Sequence, residues 1–338
     1  MATALVASRL VQFAAAMLLL GASLFPLYSR GAFSDIDKSE QTFNCWLKRT
    51  LLIAALLSLL SSLTWLSVQG ALMGEGWADA VSGSTLSVVL LQTWFGRVWI
   101  VHLTLAGLVL GAVFALYRAA NIAAMIVIAV LSMLLVASLA LVGHSMSGTD
   151  RSIDVAAQMI HLLAASIWLG GLAPLGYVLW KAHRDHSGVW RAAARFVLPR
   201  YSQAGVVAVS LILLTGTFIS WSLLERVSDL GGTTYGRILL TKIALVMLMV
   251  AIALINRLDL LPKFAHAKPN PSAEVSLFQL SRNVVAEQVL GIAVLAVVSV
   301  LGTLPPGDHS DHDSAGLATI TASVTQGVGS SSIDGAAR

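Results

Sequence analysis

His144 and His161 stand seventeen residues apart, and the polar segment between them carries Met146, Asp150 and Asp154. Met159 lies two positions before the second histidine. Imidazole nitrogen and thioether sulfur are soft-to-borderline ligands. Together they suit copper, Cu(I) first and Cu(II) second, and suit magnesium or calcium poorly. Asp150 and Asp154 would concentrate cations at such a site. Met159 and His161 are about 200° apart on a helix, so both do not face one ion easily. A plainer reading stands beside this one: each histidine hydrogen-bonds between helices, and each methionine fills space.

The elements that must position these residues are apolar. The chain has 338 residues, 57% of them hydrophobic and only 11% charged. Its mean hydropathy is +0.82. Soluble domains carry roughly 25% charge, so the fold class is all-α and polytopic in a membrane. A span needs about 20 apolar residues. Eight stretches qualify: roughly 5–28, 48–71, 94–117, 122–143, 155–180, 202–224, 238–258 and 283–304. The first could pass for a signal peptide. It is read as a retained helix, because the apolar run continues past Ser23 to Tyr28. Residues 1–304 thus form one transmembrane domain, and residues 305–338 a polar, disordered tail.

Lysine and arginine set the orientation. The loops after spans one, three, five and seven hold fourteen of them, and the opposite side holds four. The richer side is cytoplasmic by the positive-inside rule. Both termini and the His144–Asp154 turn then lie outside. The formal charge of +4 reflects this topology and does not point to nucleic acid. One cysteine, Cys45, excludes an intrachain disulfide and a four-cysteine zinc site. Cys45 is a small hydrophobe or, less simply, a thiolate that receives copper.

Ionisable groups inside a span are costly and mark candidate sites. His161 falls roughly 9 Å below the outer end of the fifth span, and His102 roughly 12 Å down the third. Three histidines therefore share the outer half. On the fifth span Asp154, Gln158, His161, Ala165 and Trp168 fall on one face. Glu287 and Asn256 lie toward the inner end, as secondary metal or gating candidates. There Glu287 either closes an ion pair with Arg282 or Arg257 or serves ion exit or proton coupling. Arg97 and Lys242 are read as snorkelling to the headgroups. In the tail, His309 and His312 are flanked by aspartates and could collect metal loosely. Ser166 and Gly170 permit close helix packing.

Several segments together resemble the CopD copper-resistance family. They are Gly143-His144, HLLAASIWLGGL (161–172), YGRILLTK (235–242), Asn256-Arg257, RNVVAE (282–287) and Leu304-Pro305-Pro306. The likeness covers about residues 90–306 and is weaker in the first two spans. It implies an eight-span inner-membrane protein that moves copper from the periplasm toward the cytoplasm. It also implies a separate CopC-type periplasmic carrier as partner, besides the lipid bilayer. The family often carries arginine at the position of His102, so a ligand role there rests on depth alone.

The sequence reading is therefore a copper-binding membrane protein and not an enzyme. Its metal ligands are His144 and His161 first, then Met146 and His102. No Walker motif is present, so transport is passive or ion-coupled. Two alternatives use the same residues. One is a haem cytochrome with His102 and His161 as axial ligands. The other is an assembly factor that presents copper without net flux.

Overall fold

The computed structural model describes residues 1–33, 38–118, 122–142, 151–184, 188–223, 233–266 and 271–304. Among them every regular element is helical. In chain order they are α1 (Ala2–Ser29), α2 (Lys38–Met73), a 3₁₀ turn (Trp77–Ala80), α3 (Gly83–Gln92), α4 (Trp94–Arg118) and α5 (Ile122–Leu139). After these come α6 (Arg151–Arg184), α7 (Val189–Leu223), α8 (Thr234–Ile255), a π turn (Asn256–Leu260), α9 (Leu261–His266) and α10 (Pro271–Leu301). Among the described residues eight helices are long and apolar enough to cross a bilayer. They correspond one to one with the expected spans.

The helices outrun the apolar runs that announced them. α2 begins at Lys38, α7 at Val189 and α10 at Pro271, each about ten residues before the hydropathic stretch. Hydropathy marks where a helix enters lipid. The helical backbone continues beyond the lipid-facing stretch, and in α7 it runs through Pro199.

α1 and α6 form the centre. α1 packs on α2, α5, α6 and α10, and α6 packs on α1, α5, α7 and α10. Their crossing is built on glycine: a Cβ on Gly170 would overlap the Met17 carbonyl, and one on Gly21 would overlap the Gly170 backbone. Without side chains the two backbones approach closely and gain dispersion contacts, the main packing force where lipid is as apolar as protein. Gly170→Leu is expected to destabilise the bundle by about 1–3 kcal/mol or more through overpacking. Thermal unfolding in detergent would check this. An unchanged midpoint would show that the crossing can spread.

α7 and α8 sit outside this centre. α7 packs on α6 and α8 packs on α10. Each buries only 11% of its most apolar window inside the protein. They flank α6 and α10, whose facing surfaces carry the polar groups described below.

The connection from α2 to α4 is held by Asp79. Its carboxylate accepts from the Thr85 hydroxyl (2.8 Å) and the Glu75 N–H (2.7 Å). These bonds, Thr85 first, hold the carboxyl below its ordinary range. A lowered folded-state value contributes stability above the usual carboxylate pKa of about 4 and loses it as pH falls through the lowered value. Hydrogen exchange at the Glu75 amide is therefore expected to quicken in Asp79→Asn at neutral pH, and in the natural protein only in acid.

Candidate metal site and inner carboxylate

Among the described residues three polar constellations in the apolar bundle involve the candidate residues, and they differ in what they leave free. The first surrounds His102, which is fully buried on α4. Gln12 of α1 donates through Nε2 to His102 Nε2 (2.8 Å) and to Ser58 Oγ (3.1 Å). Gln12 Oε1 accepts from the Ser61 and Ser62 hydroxyls of α2 (2.6 and 3.0 Å). With an amide donor on Nε2, the ring proton sits on Nδ1 and is donated to Ser138 Oγ of α5 (2.7 Å). Ser138 passes its own proton to the Leu135 carbonyl (2.7 Å). The ring stacks on Trp99 at 4.6 Å, and Trp99 Nε1–H donates to the Ser62 carbonyl.

Every nitrogen of His102 is thus engaged, in a network joining α1, α2, α4 and α5. Buried polar groups are expensive unless paired, and this network is closed. It fixes how the four helices pack. For His102 to ligate a metal, the Gln12 or the Ser138 bond must first open. The same holds for iron in a haem.

The second constellation surrounds His161, half-buried on α6. Its Nδ1 meets Thr215 Oγ1 of α7 at 3.0 Å. Thr215 gives its single proton to the Leu211 carbonyl (2.6 Å). Thr215 is therefore an acceptor toward the ring, so Nδ1 carries the hydrogen. Nε2 keeps a lone pair and meets no partner among the described residues. Gly216 makes room for the ring, since a Cβ there would stand 3.2 Å from Cε1. A histidine pinned through one nitrogen, with the other bare, is the usual posture of a metal ligand.

His144, Met146 and Asp150 fall outside the described residues, as do His309 and His312 of the tail. Among the described residues no three His, Cys, Asp or Glu side chains converge as a metal site. Met159 packs against the apolar core, and Asp154 is half-buried in the first turn of α6. Lys242 of α8 is half-buried and acts electrostatically on His161. Its place beside the site was not legible from its position near a span end.

The third constellation lies two turns farther along α6. Trp168 is buried and hydrogen-bonds the Glu287 side chain of α10. Glu287 is 3% exposed. It accepts from Asn256 Nδ2 at 2.7 Å, and Asn256 Oδ1 accepts from Asn283 Nδ2 at 2.8 Å. Tyr201 of α7 donates to the Trp168 carbonyl. Asn256 opens the π turn, a local widening that often accompanies functional positions. Glu287 has no ion-pair partner among the described residues. Arg257 instead donates to the Ser202 carbonyl and hydroxyl (3.1 and 2.9 Å), and Arg282 is exposed. The donors to this buried carboxylate are neutral.

One face of α6 therefore carries a bare imidazole nitrogen at His161 and, roughly 10 Å farther along the helix axis, a tryptophan that touches a buried carboxyl group with no ion-pair partner among the described residues. Cys45, by contrast, is exposed near the start of α2 and is not part of the apolar core.

Comparison with known proteins bears on what this arrangement handles. Residues 1–152 match the family described as copper resistance protein D-like, N-terminal domain, and residues 195–301 match copper resistance protein D. The likeness thus extends through the first two helices. The inner membrane protein YebZ of Escherichia coli (strain K12) is 35% identical over 256 residues, which is 75% of this chain and 83% of that protein. The copper resistance protein D of Pseudomonas syringae pv. tomato is 28% identical over 305 residues, covering 89% of this chain and 96% of that one. The copper transport protein CutJ of Bacillus subtilis (strain 168) is 28% identical over 310 residues, 88% of this chain and 52% of CutJ. No solved structure matches.

Proposed function

The chain belongs to the copper resistance protein D family, and from that premise we propose that it binds copper on the periplasmic side of the inner membrane and moves it toward the cytoplasm. It is a multi-pass inner-membrane protein of copper handling. The observation that carries the reading is the bare Nε2 of His161, fixed by Thr215 at the end of the bundle reached from the His144–Asp154 segment. His161, His144 and Met146 form the primary ligand set. His102 stands behind them, because both of its nitrogens are already bonded. An imidazole–thioether set favours Cu(I).

Orientation follows from the distribution of lysine and arginine, which places the His161 end outside and both termini periplasmic. Asp150 and Asp154 gather cations at the mouth. A separate periplasmic carrier of the CopC type supplies the ion. Copper then passes along the α6 face to Glu287, whose uncompensated charge attracts a cation, and leaves past Asn256 and Asn283. Lys242 repels a cation held at His161 and so keeps the outer site from becoming a trap.

Cells expressing the protein are expected to accumulate more copper than cells without it, measured by elemental analysis after growth in copper. The excess should vanish in His161→Ala. Equal copper in expressing and non-expressing cells would remove inward movement from the account.

A further inference from the structure

The end of α6 remote from His161 bounds an open cavity of about 540 Å³. Five residues of the first turns of α2 line it: Lys38, Gln41, Thr42, Cys45 and Arg49. Trp46 and Tyr177 complete it. Their rings stack at 4.3 Å and 12° and make one wall. Lys181 Nζ lies 5.8 Å from the Tyr177 ring and adds a third positive charge at the rim. Neither Lys38 nor Arg49 forms an ion pair among the described residues.

The five α2 residues follow a spacing of three and four, so they form one stripe of the helix. Ile53, Leu56 and Leu60 continue that stripe, within about 40° of Arg49. They are 58%, 41% and 59% exposed. One face of α2 thus carries a cationic, hydrogen-bonding cavity and then a bare apolar track. A phospholipid has the same order of chemistry, with an anionic phosphate at the interface and acyl chains toward the midplane. Arginine matches phosphate geometry through its planar fork, and basic pockets between spans on the cytoplasmic side suit anionic headgroups.

We propose that this cavity binds the headgroup of an anionic phospholipid, with Arg49 and Lys38 on its phosphate and its acyl chains along Ile53, Leu56 and Leu60. The site is independent of the copper reading. It makes the protein's inner end selective for lipid charge.

The single cysteine of the chain lies in this cavity and reports on it. The full-length protein is placed in nanodiscs of phosphatidylcholine alone or with phosphatidylglycerol, and Cys45 is labelled with an uncharged maleimide. A site nine-tenths occupied slows labelling about tenfold. That slowing is expected with phosphatidylglycerol only, and it should disappear in Lys38→Gln/Arg49→Gln. Both positions are at the surface, and equal melting temperatures would confirm an intact fold. Equal rates in the two lipids would overturn the proposal. So would slowing that survives in the double variant, because that would report surface potential alone. Equal slowing by inorganic phosphate in phosphatidylcholine discs would assign the anion to solution and also overturn it.

Discussion

Replacing His161 with alanine is expected to abolish high-affinity copper binding while leaving the fold intact. The ring is half-buried and contacts α7 through one hydrogen bond, so its loss removes little packing. It does remove the nitrogen that the structure holds ready. A quieter substitution tests the cause. Thr215→Val keeps the shape of the threonine but removes the acceptor that holds the Nδ1 hydrogen in place. Loss of such an orienting partner typically costs 10–100-fold in metal affinity, and about that loss is expected here. Isothermal titration with Cu(I) buffered by a competing chelator would separate the two effects. If Thr215→Val bound copper as the natural protein does, the orientation of His161 would not matter. If His161→Ala did so as well, the site would lie elsewhere.

The second large effect is expected at Glu287. Glu287→Gln keeps the hydrogen-bond geometry with Asn256 and Trp168 largely in place but removes the charge. Copper should still bind at His161, yet cellular accumulation should fall to the level of cells lacking the protein. Binding and movement would then be separated by one substitution on α10, away from the first site. Asn256→Leu makes a different prediction. It deprives a buried carboxylate of one of its donors, and a lost partner of that kind costs about 1–3 kcal/mol or more. Stability should fall together with transport. Transport by Glu287→Gln at the natural rate would remove the carboxylate from the route.

The contrast between His102 and His161 shows what the sequence could and could not say. Both are histidines within a span, in the half that the lysine and arginine count reads as outer, and the sequence reading ranks His161 ahead of His102 without naming a neighbour of either. The structure separates them by their neighbours. Gln12, Ser58, Ser61, Ser62 and Ser138 close around one, and a single threonine pins the other. Gln12 was the available signal, a lone amide in the apolar run of the first helix. Its partner could not be named, because the packing order of helices is a tertiary property that hydropathy does not encode. The spans themselves were legible, since about 20 apolar residues in a row admit few other readings.

The inner carboxylate was legible in part. Glu287, Asn256 and Asn283 could be placed at one end of the bundle from their positions alone. An ion pair with Arg282 or Arg257 is one of the two readings the sequence offers for Glu287. In the fold Arg257 turns to Ser202 on α7, and the donors to Glu287 are Asn256 and Trp168. Trp168 had the signal of sharing a helical face with His161, but its reach to α10 required the α6–α10 contact. The Gly170 crossing was anticipated as a close approach, while its partner, α1 at Met17 and Gly21, was not.

The central claim is a copper site that depends on His161 and the segment before it. It is tested most directly by the copper and iron content of the purified protein, measured together for the natural chain and for His144→Ala/His161→Ala. The account predicts near-stoichiometric copper in the natural protein and its loss in the double variant, with no iron in either. Copper retained by the double variant, or stoichiometric iron in the natural protein, would contradict it.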